Sequence, residues 1–283
     1  MSTLQTQRKR LKPMRFLAKY GRLILGGSII GLIIFGSIFA PFLTQYDPEV
    51  YNLDIRKQLP SAEHLLGTDN YGRDMFTRIL YGGRTTLIVA FGSKALGILL
   101  GTVLGLICGY YKWAEKILMR ILDAMATIPN LLLCLMMVAI FGAGTVNLII
   151  AMAIGSIPGT ARMVRNQVLS LKEKEYIESE HAMGASDART MFMHILPSCT
   201  SYLIVAFSSG LAGAVLSMTS LSYLGLGLSP VIPNWGGMIN EAQHLMFGTP
   251  HLVLYPGIAT CLAVFGFAML GDGVRDLLDP RLR

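Results

Sequence analysis

Charge is what this sequence has least of. Asp, Glu, Lys and Arg make up 14% of its 283 residues, where a soluble domain carries about 25%. With 53% hydrophobic residues and a mean hydropathy of +0.53, that scarcity excludes an ordinary water-soluble globule and points to a membrane. Cysteine is scarce as well. Cys108, Cys134, Cys199 and Cys261 stand without the paired spacing of a zinc site or a redox motif, which leaves them as small apolar packing residues.

No GxxxxGK[ST] phosphate loop occurs, so the chain is not expected to hydrolyse ATP. His64, His181, His194, His244 and His251 are scattered, and neither Ser-x-x-Lys nor His-Glu-x-x-His spacing is present. Neither an enzyme nor a metal centre is expected from such a pattern. The net charge of +7 belongs to no basic domain with interleaved aromatics, which argues against nucleic acid.

What the chain does have is long apolar runs. Leu23 to Leu43 holds no charged residue, and a helix of about 20 apolar residues spans a hydrocarbon core. A cleavable leader is the competing reading; the run exceeds a typical leader's apolar stretch and Ala40-Pro41 is a poor cleavage context, so the segment reads as retained. Further spans fit Thr85 to Tyr110, Ile117 to Phe141, Val146 to Pro158 with its flanks, Tyr202 to Leu221 and Leu252 to Leu270. The expected fold is an all-α integral membrane protein of about six transmembrane helices, the fourth having the weakest signal.

With the N-terminus inside, 18 of the 24 Lys and Arg residues fall in inside segments. Arg56, Lys57, Arg73, Arg78 and Arg84 fall outside, and Lys94 lies within a span. Basic residues near membrane ends are retained in the cytoplasm, so both termini are expected there.

Gly97, Gly101, Gly105 and Gly109 recur every fourth residue, a stripe along which another helix can approach closely. Lys94 sits in the same span, where an ammonium in hydrocarbon costs about 2.5–3.5 kcal/mol on insertion scales. It should face water on a translocation cavity or a partner at a helix interface. Asp123 lies three residues after Arg120 and is placed to pair with it along one helix face. In the outside segment, His64 to Asp74, the glycines, aspartates and arginine suit a tight turn whose carboxylates cap amides and pair with Arg73.

The most polar stretch between apolar blocks is EYIESEHAMGASDARTMFMHILP, Glu175 to Pro197. Ala188, Met191, Phe192 and Ile195 fall at helical spacing, with Asp187, Arg189 and Thr190 on other faces. Gly184 permits a sharp turn, Ser186 is placed to cap the helix that follows, and Pro197 ends the pattern. The segment reads as helix, glycine turn, helix along the cytoplasmic face. From Arg162 to Arg189 the five basic and five acidic residues balance, which favours docking to a protein over resting on anionic lipid.

Glu178-Ser-Glu-His-Ala-Met-Gly184, followed by Leu196-Pro197, resembles the EAA loop of ABC importer permeases. HLLGTDNYGRD, SYLGLGLSPVIPNWGGMINEA and the terminal GDGVRDLLDPRLR resemble the second permease subunit of dipeptide, oligopeptide and nickel importers, so the likeness runs from about Tyr46 to Arg283. Ser179 and Glu180 stand for two alanines of the generic loop, His194 for a common isoleucine and Ala268 for a frequent asparagine.

The resemblance implies a type I ABC importer permease architecture in a bacterial cell membrane. Residues 1–22 would be a basic cytoplasmic segment, 23–43 the first transmembrane helix and 44–84 an extracytoplasmic segment. Residues 85–271 would form the permease core with its loop at about 160–198, and 272–283 a cytoplasmic tail. Glu178, Ala182, Met183, Gly184, Ala185, Ser186, Asp187, Arg189, Leu196 and Pro197 would couple to an ATPase; Gly67, Thr68, Asp69, Gly72, Arg73 and Asp74 would form an extracytoplasmic motif.

The implied partners are a homologous permease, one or two ABC ATPase subunits, an extracytoplasmic substrate-binding protein and membrane lipid. ATP and Mg would be used by the ATPase subunits, this chain binding no cofactor. The implied cargo is di- or oligopeptide, with nickel or a metal chelate as the alternative. An ion-coupled secondary transporter, a different class, would carry its own intramembrane coupling charges, for which Lys94 alone offers support.

Overall fold

The structure, a computed structural model, describes residues 2–278, with side chains from residue 20 onward except that of residue 181. Among these residues every extended element is helical. The principal helices are α1 (Ser2–Ile38), α2 (Met75–Tyr110), α3 (Asn130–Phe141), α4 (Thr145–Lys172), α5 (Glu175–Ala182), α6 (Leu196–Tyr223), α7 (Trp235–Ala242) and α8 (His251–Leu278). Five segments are long and apolar enough to cross a membrane: Tyr20–Ile38, α2, α4, Asp187–Tyr223 and α8.

The third expected span is not one straight helix. It is a pair, Lys112–Ala126 and α3, bent by 95°. The break falls at Thr127 to Pro129, where Pro129 takes an extended backbone (ψ 131°) and disfavours helix in the residue before it. The pair nevertheless runs from one end of the bundle to the other. Glu115 pairs with Arg165 near the end of α2, while the carbonyl of Phe141 accepts from Asn147 at the start of α4.

Proline also ends the first span sooner than expected. The helix stops at Ile38, and Ala40–Leu43, with Pro41 in its first turn, is a separate short piece. Conversely, the fourth span is continuous for 28 residues with Pro158 inside it. It is the most enclosed of the candidate spans, 44% of its most apolar window being buried. A helix surrounded by protein can carry polar residues that lipid would not accept, which accounts for its weak hydropathy signal.

α2 and α4 form the centre. A Cβ added at Gly105 would lie 2.6 Å from the Ala161 carbonyl oxygen, at Gly101 2.6 Å from Thr160 Cβ, and at Gly109 2.5 Å from Val168 Cβ; Gly97 faces Ser156 in the same way. The stripe therefore brings the two backbones together along most of their length. α1 lies antiparallel to α8, where Gly26 and Gly273 allow a similar approach and Arg22 meets Asp276 at 3.6 Å. Residues 272–278 of the expected tail continue α8; residues 279–283 lie outside the described part.

Candidate functional site

Three sites are distributed along the axis of α2, whose 36 residues span roughly 54 Å. At its C-terminal end lies the polar loop. α5 ends at Ala182, Gly184 takes φ +82°, and Ser186 caps the next turn by accepting from the Arg189 amide at 3.4 Å. Asp187 is held from outside the loop: Tyr110 Oη donates to its Oδ1 at 2.8 Å and Tyr111 Oη to its Oδ2 at 3.2 Å. Burial and then the hydrogen bond to Asp187 push the Tyr111 hydroxyl pKa above its ordinary range. Across the turn, Glu180 Oε1 meets His194 Nδ1 at 2.9 Å, so two of the residues that depart from the generic loop face each other.

The helix after Gly184 differs from its expected form in two respects. Thr190, Met191 and Ile195 are buried while Ala188 and Phe192 are exposed, so the inward face is not the one helical spacing indicates. From Thr190 onward a π-helical segment, Thr190–Ile195, shifts the register through its wider turn. Nor does Pro197 end the helix. It lies directly after the π segment, inside one continuous helical stretch from Asp187 to Tyr223. The tip carries Met183, 80% accessible, and Phe192 and Met193 after the turn are exposed as well.

At the opposite end, the segment after the first span folds onto the start of α2. Gly67 and Gly72 both take φ +76°. Asp69 Oδ1 accepts from the amides of Tyr71 and Arg73, at 2.8 and 2.9 Å, while Oδ2 accepts from Arg73 Nε at 2.6 Å. Asp74 caps α2 by accepting from the Thr77 amide at 2.8 Å, and meets His64 Nδ1 at 3.0 Å. Arg73, wholly buried, reaches Glu241 of α7 at 2.5 Å, and Arg78 approaches Asp69 and Glu241 at 3.6 and 3.5 Å. Desolvation raises the Glu241 pKa, although both arginines oppose it. Thr68 bonds the Ile55 carbonyl and the Gln58 amide.

Between the two ends, Lys94 opens on a cavity of about 210 Å³ bounded by α2, α3, α4 and α6. Sequence reasoning missed Arg78, Glu241, Tyr110 and Tyr111. Arg78 lies four residues after Asp74, but that spacing names the wrong partner, since Arg78 pairs with Asp69 and Glu241. Glu241 carried no local signal, its partner Arg73 being 168 residues away. The expected Arg120–Asp123 pair is not formed. Asp123 instead accepts from Arg162 of α4 at 2.6 Å, because α4 packs beside it. Among the described residues no His, Cys, Asp and Glu cluster has metal-binding form.

The comparisons agree with this architecture. Residues 97–283 match the family described as binding-protein-dependent transport system inner membrane component. The glutathione transport system permease protein GsiD of Pectobacterium atrosepticum is 44% identical over 271 residues, 95% of this chain and 90% of that protein. The dipeptide transport system permease protein DppC of Alkalihalophilus pseudofirmus is 43% identical over 262 residues, 90% of this chain and 86% of that one. In fold, the chain resembles one from an inward-facing structure of the MetNI methionine ABC transporter, with TM-score 0.59 and 20% identity over 71% of this chain and 96% of that. With five helices long and apolar enough to cross a membrane, six if the bent pair is one span, and 44% identity across nearly its whole length, the chain belongs to the binding-protein-dependent transport system inner membrane components and is a permease subunit of an ABC importer.

Proposed function

We propose that the chain forms half of the translocation pathway for di- or oligopeptide-type substrates, a homologous permease forming the other half. The observation that carries the coupling role is the loop after α5. A positive-φ glycine turn presents exposed Met183 and Phe192, while Asp187 behind it is tied to the end of α2. A knob exposed at its tip and fastened at its base transmits a push from an ATPase cleft to the membrane helices as a rigid movement. Glu178, Ala182, Ala185, Arg189, Leu196 and Pro197 complete the coupling segment.

ATP and Mg act in separate ATPase subunits, a separate binding protein delivers substrate to the His64–Asp74 end, and both termini face the cytoplasm in accord with the basic-residue bias. Peptide is preferred to nickel because the relatives' names specify glutathione and dipeptide.

Tagging the chain, extracting it gently from its membrane and identifying stoichiometric companions tests the assembly. A homologous permease and P-loop ATPases are expected; a lone chain that transports without ATP would overturn the proposal. In the assembled complex, Gly184→Trp is expected to leave insertion intact and to weaken ATPase docking or uncouple hydrolysis from uptake, and wild-type uptake in that variant would refute the coupling role.

A further inference from the structure

Lys94 stands twenty residues into α2, remote from either end of a helix that crosses the membrane. Of the Asp and Glu residues of the sequence only Asp123 falls inside an expected span, and it is taken by Arg162 of α4 at 2.6 Å. Accordingly, among the described residues no carboxylate lies within ion-pair distance of Lys94. An ammonium at that depth is costly unless it meets water or a counter-charge, and the described residues supply no counter-charge.

The surroundings are built for a polar guest. Ser93, Ser156, Ser217 and Asn130 line the same 210 Å³ cavity as Lys94. Gly210 makes the room: a Cβ there would collide with Lys94 Cε and Nζ. Asn130 opens α3 at the 95° break, and no side chain caps that helix start. A broken helix whose N-terminus opens on an intramembrane cavity places its positive dipole end where an anionic group can sit. A cation, a helix N-terminus and hydroxyl and amide groups from four helices thus share one chamber halfway through the bundle.

We infer that this chamber is an anion subsite on the translocation path, at which the Lys94 ammonium takes the carboxylate of a passing peptide-type substrate. The inference rests on the importer reading proposed above. It assigns to the permease itself a share in substrate selection, favouring cargo with a free carboxylate. The volume suits one carboxylate with its neighbouring atoms, so the rest of the cargo would lie toward the partner permease.

The test uses the complete complex with its binding protein in proteoliposomes, with ATP inside and dialanine or glutathione outside. Wild type is compared with Lys94→Arg, Lys94→Met and Lys94→Glu. Arg is expected to keep uptake within about twofold, Met to lower it about tenfold as a charge-assisted hydrogen bond is lost, and Glu to lower it further. The partner permease and ATPases should copurify with all four proteins in equal amount.

Uptake by the Met variant within twofold of wild type overturns the inference, as does equal uptake by Met and Glu. Loss of the partner permease from the Met variant also overturns it, since Lys94 would then pair with a carboxylate of that subunit. Wild type that hydrolyses ATP yet moves neither probe overturns the peptide reading itself.

Discussion

At the scale of single residues, the strongest constraints are two buried arginines. Arg73 and Arg78 are each 1% exposed, and their charges are met by Asp69 and by Glu241 from a distant helix. Removing one member of a buried ion pair typically costs about 3–5 kcal/mol, because its partner stays buried and uncompensated. Arg73→Ala is expected to lower the thermal unfolding midpoint of the purified protein sharply, while Arg56→Ala, exposed in the same segment, leaves it unchanged; equal midpoints would refute the role. Glu241 adds a pH dependence. Its carboxyl is held above the ordinary range by burial, so the folded state takes up its proton more readily than the unfolded chain. That contribution is complete below about pH 4 and declines as pH rises through the raised value. The midpoint of wild type measured against Glu241→Gln should therefore fall as pH rises from about 4, and a relative rise would contradict it.

At the scale of elements, the α2–α4 pair holds the bundle together through its glycines. With a Cβ at Gly105 only 2.6 Å from a backbone oxygen, no rotamer change relieves the contact, and the helices must separate. Gly105→Val is expected to reduce folded protein recovered from membranes several-fold, whereas Gly159→Ala, where a Cβ meets nothing within 4 Å, is expected to be neutral. The four-residue spacing made the stripe legible in sequence, because a helical period needs no knowledge of the partner. The break at Pro129 and the π segment at Thr190–Ile195 were not legible. Hydropathy averages over both, and a π turn arises where packing rewards an altered register over regular hydrogen bonding.

Across the whole molecule, the two ends differ in chemistry. One presents the loop at Met183 and the other the ion-paired segment at His64 to Asp74, and the importer reading sets them on opposite sides of the membrane. In a chain with its native cysteines replaced, Met183→Cys is expected to react with an impermeant maleimide only after the membrane is opened, and Glu63→Cys in intact cells. The reverse pattern would invert the proposed topology.

Membrane residence, the glycine stripe, the glycine turn between helices at Gly184 and the turn at Asp69 to Asp74 all followed from the sequence by itself. Each is carried by short-range order: an apolar run, a four-residue period, a glycine between two helical patterns, or carboxylates beside the amides they cap. Only the tertiary structure decided the partner of Asp123, the joining of Arg73 to Glu241, the anchoring of Asp187 by Tyr110 and Tyr111, and the chamber around Lys94. Those depend on which helices pack side by side, which is set by close contacts between residues far apart in the chain.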